Sequence, residues 1–443
     1  MNARHAAFIS LKKYVSAQKY LNIETDAAIK KYGLEGTEKN LYTALTYGTV
    51  ERMITLDYLI GRLSAKPIEQ IDINVLLILR ISLYQLRFLD RIPDHAVCFE
   101  AGEMCRRFAA TGAVSFVNAV LREYIRQKDH LTLPKKEDGI LPYLSVNYSV
   151  PEWLAKLWID DYGESRAEGI LQGTEAEPPY LTLRVNTLRL SREELLTLLR
   201  EYRIHAAPHP TVPTAIELRQ RCSFDQLESI APGAFFVQDT ASQMAVLALD
   251  AKPGDNVFDL CAAPGSKSFG AAIQMQNRGT VRAFDLHPNK LSLISKGAKQ
   301  LSVSVIFAET ADASKPQASL FGKADRVICD VPCSGLGVLA KKPDIRHKQF
   351  SDIERLPSVQ SAILQNGALT VRPGGILLYS TCTLRKEENE KQIQSFLQKN
   401  PDFEPEPFCV GGRRAESGML TLFPDTDKTD GFFIAKLRRR GSV

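Results

Sequence analysis

Apolar residues recur at helical spacing through the first third of the chain and cluster in short strand-length runs through the last. Ala6, Ile9, Leu11, Val15 and Tyr20 trace one helical stripe, and Leu41, Leu45, Val50, Ile54, Tyr58 and Leu59 trace another. Residues Ile73–Leu89 are apolar on nearly all sides, which predicts the central helix of a bundle. Pro93 opens the next helix at its first turn, Thr111-Gly112 ends it, and Ser115–Ile125 closes an all-α domain. The polar stretch Pro134–Leu141, with Lys135-Lys136-Glu137-Asp138-Gly139 inside it, reads as a linker.

The next region mixes elements. Pro151–Tyr162 has a helical pattern, Tyr180–Val185 is a short apolar strand, and Ser191 with Glu194 forms a capping box that starts a helix over Ser191–Tyr202. Ile216–Leu218 and Phe235–Val237 add strands, so a small α+β domain is expected. From about Asp239 the rhythm becomes strand, Gly-rich turn, helix. Val257–Leu260, Thr280–Phe284, Val305–Phe307, Arg326–Cys329 and Gly375–Tyr379 are the predicted strands. Strands alternating with helices predict a parallel, doubly wound sheet. The expected division is residues 1–133, 142–234 and 235–443.

Composition adds little until it is read by region. The 443 residues carry a net charge of +5, with 44% hydrophobic and 24% charged residues, an ordinary globular balance. Net charge is +4 over residues 1–150, −6 over 151–250 and +7 over 251–443. Two basic ends thus flank an acidic middle, which permits a polyanionic partner. The eight cysteines (98, 105, 222, 261, 329, 333, 382 and 409) form no Cys-x-x-Cys pair, so a zinc ribbon or disulfide scaffold is a poor reading. The start lacks an apolar core of signal-peptide length, and the most apolar stretch, Val75–Leu86, is interrupted by Arg80. A soluble cytoplasmic protein with reduced thiols, without membrane or metal, is expected.

Three motifs carry chemistry. In Phe258-Asp259-Leu260-Cys261-Ala262-Ala263-Pro264-Gly265-Ser266-Lys267 an apolar strand runs through small residues into a helix, letting the backbone approach a ligand closely. It is neither a P-loop nor Gly-x-Gly-x-x-Gly. Asp285 ends the following strand, where a carboxylate can accept hydrogen bonds from a ribose diol. Together these favour an adenosine-containing cofactor at the carboxyl ends of the strands. The other motifs are Val327-Ile328-Cys329-Asp330-Val331-Pro332-Cys333-Ser334-Gly335 and Leu377-Leu378-Tyr379-Ser380-Thr381-Cys382-Thr383. Each sets a cysteine, Cys333 or Cys382, just past a strand on the ligand-binding face, with Asp330 beside one of them, where a thiol can be exposed and activated. Cys329 lies inside its strand and, like Cys98, Cys105, Cys222 and Cys409, reads as a packing residue.

The Asp-x-Cys-Ala-Ala-Pro-Gly-x-Lys turn, Asp330-x-Pro-Cys333-Ser and Thr381-Cys382 resemble the Sun/Fmu-type RNA cytosine carbon-5 methyltransferases, which use S-adenosylmethionine. Ile78–Leu86, Ile92-Pro93 and Phe116–Arg122 are similar to the NusB-type RNA-binding domain. A NusB-like domain ahead of such a methyltransferase is the pattern of the bacterial small-subunit (16S) ribosomal RNA methyltransferases of the B type, and the likeness covers essentially the whole chain. Lys342–Arg346 and Asp430–Lys436 fit it as well.

The resemblance implies a fold and a set of roles. The fold is a NusB-like bundle, a small α+β domain and a Rossmann-like methyltransferase. Cytosine carbon-5 is too weak a nucleophile unaided, so the thiolate of Cys382 would add to carbon-6, and electron density would flow to carbon-5. Asp330 would meet ring nitrogen-3 and also face the cofactor. Cys333 would help remove the carbon-5 proton or release the adduct. Cys261, Ala262, Ala263, Pro264, Gly265, Ser266 and Lys267 would surround the methionine and ribose of the cofactor. Asp285 would hold the ribose hydroxyls, and Asp312 would sit by the adenine amine. The chain departs from the pattern at Ser266, where glycine is usual, at Thr383 for serine, and at Val331 for alanine.

The expected partner is 16S ribosomal RNA, free or partly assembled, bound by a monomer. Arg4, Lys12, Lys13, Arg106, Arg107, Arg122 and Arg126 could meet phosphates. Lys341, Lys342 and Arg346, just after the Cys333 loop, are stronger candidates, whereas Arg438-Arg439-Arg440 reads as a solvated tail. Transfer RNA or large-subunit RNA is the alternative substrate. A non-catalytic assembly factor and a nicotinamide-dependent oxidoreductase are the alternatives of other classes.

Overall fold

The computed structural model describes residues 1–17, 21–175 and 181–441. Tyr20 and Tyr180, expected in a helix and a strand, lie outside the described residues. The chain forms two units: residues 1–171 with 342–348, and residues 172–341 with 349–443.

The first unit is helical, from Ala3–Ala17 through Glu152–Tyr162. Its central helix is Ile73–Phe88. Asp72 starts it by accepting from the amides of Asn74 at 2.9 Å and Val75 at 3.3 Å, a cap worth about 1 kcal/mol. Val75 through Leu83 are buried, as the all-round apolar pattern predicts. Arg80, the charge interrupting that run, makes a bidentate pair with Asp57, both contacts at 2.7 Å, so its burial is compensated. The polar stretch expected as a linker is a tethered turn. Lys136–Asp138 forms a short 3-10 helix, Lys136 pairs with Glu168 at 2.5 Å, and Asn147 donates to the Pro134 carbonyl at 2.9 Å.

One expected RNA contact is corrected here. Arg346 is 1% exposed and donates to the Tyr148 carbonyl at 2.8 Å, so it is an internal strut. The neighbouring His347 ring meets the Val50 carbonyl at 2.7 Å, and burial holds its pKa below the usual imidazole range. Arg4 donates to Gln85, Lys13 to Glu24, and Arg106 and Arg126 pair with Glu103 and Glu123 along their own helices. Lys12, Arg107 and Arg122 are exposed.

The second unit carries two main sheets. The smaller has strands β1 (Thr182–Val185), β2 (Ala206–Pro208), β3 (Ala215–Leu218) and β4 (Phe235–Val237), all antiparallel in the order β2-β3-β1-β4. Its helix Arg192–Glu201 begins at the predicted Ser191–Glu194 capping box. The larger sheet holds β5 (Asn256–Asp259), β6 (Thr280–Asp285), β7 (Ile306–Thr310), β8 (Ala324–Asp330) and β9 (Val371–Thr381), all parallel. A short hairpin, β11 (Phe408–Val410) with β12 (Arg413–Ala415), stands apart from it. β10 (Phe403–Pro405), β13 (Met419–Leu422) and β14 (Phe432–Arg439) complete the larger sheet antiparallel, giving the order β10-β14-β9-β8-β5-β6-β7 with β13 also on β14.

Each face of the larger sheet has its own core, because successive strand residues point to opposite sides. Ile328, Leu378, Phe432 and Ile434 enter one core, with Ala241, Ala271 and Ile294 of covering helices. Val327, Cys329, Leu377, Tyr379 and Phe433 enter the other, with Ile363, Leu364 and Phe396. This fixes Cys329 as a packing residue. Arg438 and Arg439, expected in a tail, belong to β14. Arg438 pairs with Glu406, Arg439 with Asp402 and Arg440 with Glu404, acids from the adjoining β10 segment.

Candidate active site

The parallel strands end together, placing Asp259, Asp285 and Asp330 along one edge of the sheet. Such carboxyl ends are where open α/β sheets bind ligands. A cleft of about 480 Å³ opens there, lined by Cys261, Ala263, Asp285, Asp312 and Asp330 with the apolar Val359 and Ile363. Asp285 is fixed by the amides of His287 at 2.9 Å and Ala263 at 3.3 Å. Asp312 accepts from both the hydroxyl and the amide of Ser314, which hold its carboxyl below the usual range. The Asp285 and Asp312 carboxylates can accept hydrogen bonds from hydroxyl or amine groups of a ligand in this cleft, and Lys290, 3.9 Å from Asp285, also lines it.

The turn from Cys261 to Lys267 shapes the cleft more than it lines it. The Ala262 amide donates to the Phe284 carbonyl at 2.7 Å, and its side chain packs into the core. Ala263–Pro264 is a cis peptide. Gly265 adopts φ +113°, and a Cβ there would lie 2.5 Å from the Phe269 ring, so glycine is required. Ser266 is the first residue of the helix Ser266–Gln274, a conformation that any L-residue adopts, so the departure at this position is accommodated. Burial raises the Cys261 thiol well above its ordinary value. Asp259, buried beneath the turn, accepts from the Ser268 hydroxyl at 2.7 Å, and burial pushes its carboxyl up to about 7.

The Lys267 side chain turns toward the thiol motifs. Its ammonium donates to Asp330 at 2.7 Å and lies 5.4 Å above the centre of the Phe432 ring. Burial by itself lowers the Lys267 pKa. Asp330 outweighs that, and the Lys267 pKa is raised. The other Asp330 oxygen accepts from the Ser380 hydroxyl at 2.7 Å. The registry of β8 with β9, Asp330 opposite Ser380, brings the two motifs together.

The sulfurs of Cys333 and Cys382 are 3.2 Å apart, although the residues are 49 positions apart in sequence. The hydrogen bond to Cys382, then burial, raises Cys333 well above an ordinary thiol. Both thiols are partly accessible, and all eight cysteines are unbridged. Thr383 keeps a hydroxyl at its position and shares a 2.7 Å hydrogen bond with Ser334.

Of the other two RNA candidates beside the Cys333 loop, Lys342 is exposed and Lys341 is held in an ion pair. Its ammonium sits between Asp239 and Asp430, the latter contact at 2.8 Å. Among the described residues no group of three or more His, Cys, Asp or Glu side chains could hold a metal ion, and no helix is long and apolar enough to cross a membrane.

Five parallel strands followed by an antiparallel partner, an acidic cleft at their carboxyl ends and a thiol pair beside it define a Rossmann-like methyltransferase. Comparison with known proteins makes this specific. Residues 246–438 match the 16S rRNA methyltransferase RsmB/F family, residues 150–225 the ferredoxin-like domain of RsmF/B-like methyltransferases, and residues 1–126 the NusB family. The probable ribosomal RNA small subunit methyltransferase B of Bacillus subtilis is 37% identical over 99% of both chains. Its Synechocystis counterpart is 34% identical over 99% of this chain and 100% of its own. The crystal structure of PH0851 aligns with a TM-score of 0.82 at 26% identity, covering 98% of this chain and 97% of its own. A methyltransferase homolog from Pyrococcus horikoshii aligns at 0.59 and 30% identity over 68% of this chain and 98% of its own. The chain belongs to the RsmB/F family of ribosomal RNA methyltransferases, with an N-terminal NusB domain.

Proposed function

We propose that this enzyme methylates carbon-5 of one cytosine in 16S ribosomal RNA, using S-adenosylmethionine and a covalent Cys382 adduct at carbon-6. The 3.2 Å thiol pair beside Asp330 carries the reading, because two sulfurs and a carboxylate can serve three separate steps on one pyrimidine. When bound, the cofactor supplies an electrophilic methyl group. The acidic cleft next to Asp330 supports its place there, with Asp285 holding the ribose hydroxyls and Asp312 the adenine amine. Cys261 and Ala263 would face it directly, and Ala262, Pro264, Gly265 and Ser266 would hold the turn that admits it. Lys267 would orient Asp330.

Cys382 attacks carbon-6, and the electron pair released toward carbon-5 is accommodated by a proton shared between Asp330 and ring nitrogen-3. Once carbon-5 is methylated, Cys333, after first giving up its own proton to solvent, takes the carbon-5 proton; the electron pair of that bond forms the double bond between carbon-5 and carbon-6, and Cys382 leaves carbon-6 as a thiolate. Residues 1–133 would grip RNA, 142–234 would guide it, and 235–443 would perform the chemistry, as a cytoplasmic monomer. A base stacked in a duplex is out of reach of this attack, so the target cytosine is flipped or lies in a loop.

Mapping 5-methylcytosine in ribosomal RNA with and without the protein tests the substrate. One 16S position should lose its mark, whereas a loss confined to transfer RNA or large-subunit RNA would overturn it. Cys382→Ala should abolish both methyl transfer and any denaturation-resistant RNA adduct. Cys333→Ala should accumulate the adduct and stall turnover. Equal adduct yield from Cys382→Ala and the unmodified enzyme would refute the nucleophile assignment.

A further inference from the structure

The two thiol-bearing loops are gripped from one place. Glu388 and Asn389 adjoin at the end of the 3-10 turn Lys386–Glu388. One Glu388 carboxylate oxygen accepts from the Ser334 amide at 2.9 Å and from Gln360 Nε2 at 2.8 Å. The same Gln360 nitrogen donates to the Pro332 carbonyl at 2.9 Å, so Cys333 is bracketed on both sides. Asn389 does the same for Cys382: its nitrogen donates to the Thr383 carbonyl at 2.9 Å, and its oxygen accepts from the Thr381 hydroxyl at 2.5 Å.

The charges around the pair are not symmetric. Glu388 is 0% exposed, and among the described residues its Oε1 accepts no hydrogen bond. Its ion-pair partner, Arg385, stands off at 3.8 Å, donates to the Ile353 carbonyl at 3.0 Å and lies over the Phe350 ring. A weakly compensated negative charge is therefore built into the Cys333 side. Tyr379, whose hydroxyl donates to the Glu388 carbonyl at 2.6 Å, is kept neutral by burial. On the other side, Cys382 and Asp330 are among the groups that stabilise the buried Lys267 ammonium. The Glu388 carboxylate thus lies against the Cys333 loop, whereas the Lys267–Asp330 ion pair is the charged group on the Cys382 side.

We propose that Glu388 is a positioning residue that keeps the shared proton on Cys333 and thereby leaves Cys382 to carry the thiolate. A carboxylate beside a thiol disfavours its ionisation, and in a coupled pair the surrounding charges decide which member ionises. The hydrogen bond to Cys382 and burial raise Cys333, and the charge of Glu388 adds to both. The consequence for methyl transfer rests on the reading of Cys382 as nucleophile, whereas the placement of the proton does not.

The test is iodoacetamide labelling of the full chain without RNA, quantified for each cysteine by mass spectrometry between pH 6.5 and 9. Thiolates react and thiols do not, and one unit of thiol pKa changes the thiolate fraction about tenfold, so Cys382 should label at least about tenfold faster than Cys333. Glu388→Gln keeps an acceptor for Ser334 but removes the charge, and should lower that ratio about tenfold by speeding Cys333. Glu388→Asp keeps the charge while loosening the grip, and should hold the ratio within about threefold of the unmodified enzyme. A merely structural role would move both variants alike. An unchanged ratio in Glu388→Gln, or a collapse as large in Glu388→Asp, overturns the proposal. So does equal labelling of the two thiols at pH 7.5 in the unmodified enzyme, which requires no variant to fold. Absent RNA adduct or 5-methylcytosine with the labelling preference intact overturns only the reading of function.

Discussion

Replacing Asp330 by asparagine should destabilise the second unit in a way that fades as pH rises. The substitution keeps the shape and an acceptor for Lys267 but removes the charge opposite a buried ammonium. Removing one partner of a buried ion pair costs about 3–5 kcal/mol. The Asp330 side chain is 33% exposed, so solvent screening reduces the expected loss to about 2–3 kcal/mol. At about 2–4 °C per kcal/mol for a unit of this size, the melting temperature should fall by roughly 4–12 °C. With Asp330 present, Lys267 holds its proton more tightly than a free lysine. The contribution of the pair is then complete below the unfolded lysine value of about 10.4 and is lost only as pH rises through the higher folded value. In Asp330→Asn the main partner opposing burial is gone, leaving only the weaker pull of Asp259 and Cys382, and the folded-state value is expected to fall below the unfolded one. The unfolded chain then binds the extra proton, so the stability of the variant increases with pH. Melting by differential scanning fluorimetry should show the gap to the unmodified enzyme shrinking by about half or more between pH 6.5 and 9.5. A gap that stays constant over that range would refute the argument that Lys267 is the charge left stranded.

Two further substitutions probe the cofactor turn. Gly265→Ala forces a Cβ into left-handed backbone and against the Phe269 ring, and should cost about 2–4 kcal/mol together with cofactor affinity. A melting temperature within 2 °C of the unmodified enzyme, roughly 1 kcal/mol or less, would contradict it. Ser266→Gly should bring no gain, because Ser266 already sits in relaxed helical backbone. It should lose a few tenths to about 1 kcal/mol and leave S-adenosylmethionine affinity by calorimetry unchanged. A tighter-binding glycine variant would mean that the serine at this position is a compromise.

What could be read from the sequence was whatever periodicity and short motifs encode locally. The five parallel strands appeared as apolar runs, the capping box at Ser191 marked its helix, and Cys333 and Cys382 stood out as strand-end thiols. Less accessible were features whose meaning depends on who sits opposite. β14 carries an ordinary apolar pattern, but nothing local states that it runs antiparallel between β9 and β10, and these pairings are what turned Arg438 and Arg439 from a tail into part of a sheet. Arg346 looked like a phosphate ligand because a guanidinium near a catalytic loop usually meets solvent, whereas here it satisfies the Tyr148 carbonyl. Lys267 stood in a cofactor motif, and only the β8–β9 registry shows that its ammonium reaches Asp330.

Glu388 is the sharpest case. In Lys386-Glu387-Glu388-Asn389-Glu390 it looks like any member of a solvated charge run, and its neighbours Glu387 and Lys391 do pair at the surface. A carboxylate is buried without full compensation only where the surrounding fold forces the cost, since an isolated buried charge is expensive. Here the forcing element is a 3-10 turn whose next residue must also reach Thr381 and Thr383. Binding the Cys382 loop through Asn389 thus fixes Glu388 beneath the Cys333 loop. The geometry that sets the two sulfurs 3.2 Å apart and the charge that makes them unequal come from adjacent residues, so neither can be altered by selection without disturbing the other.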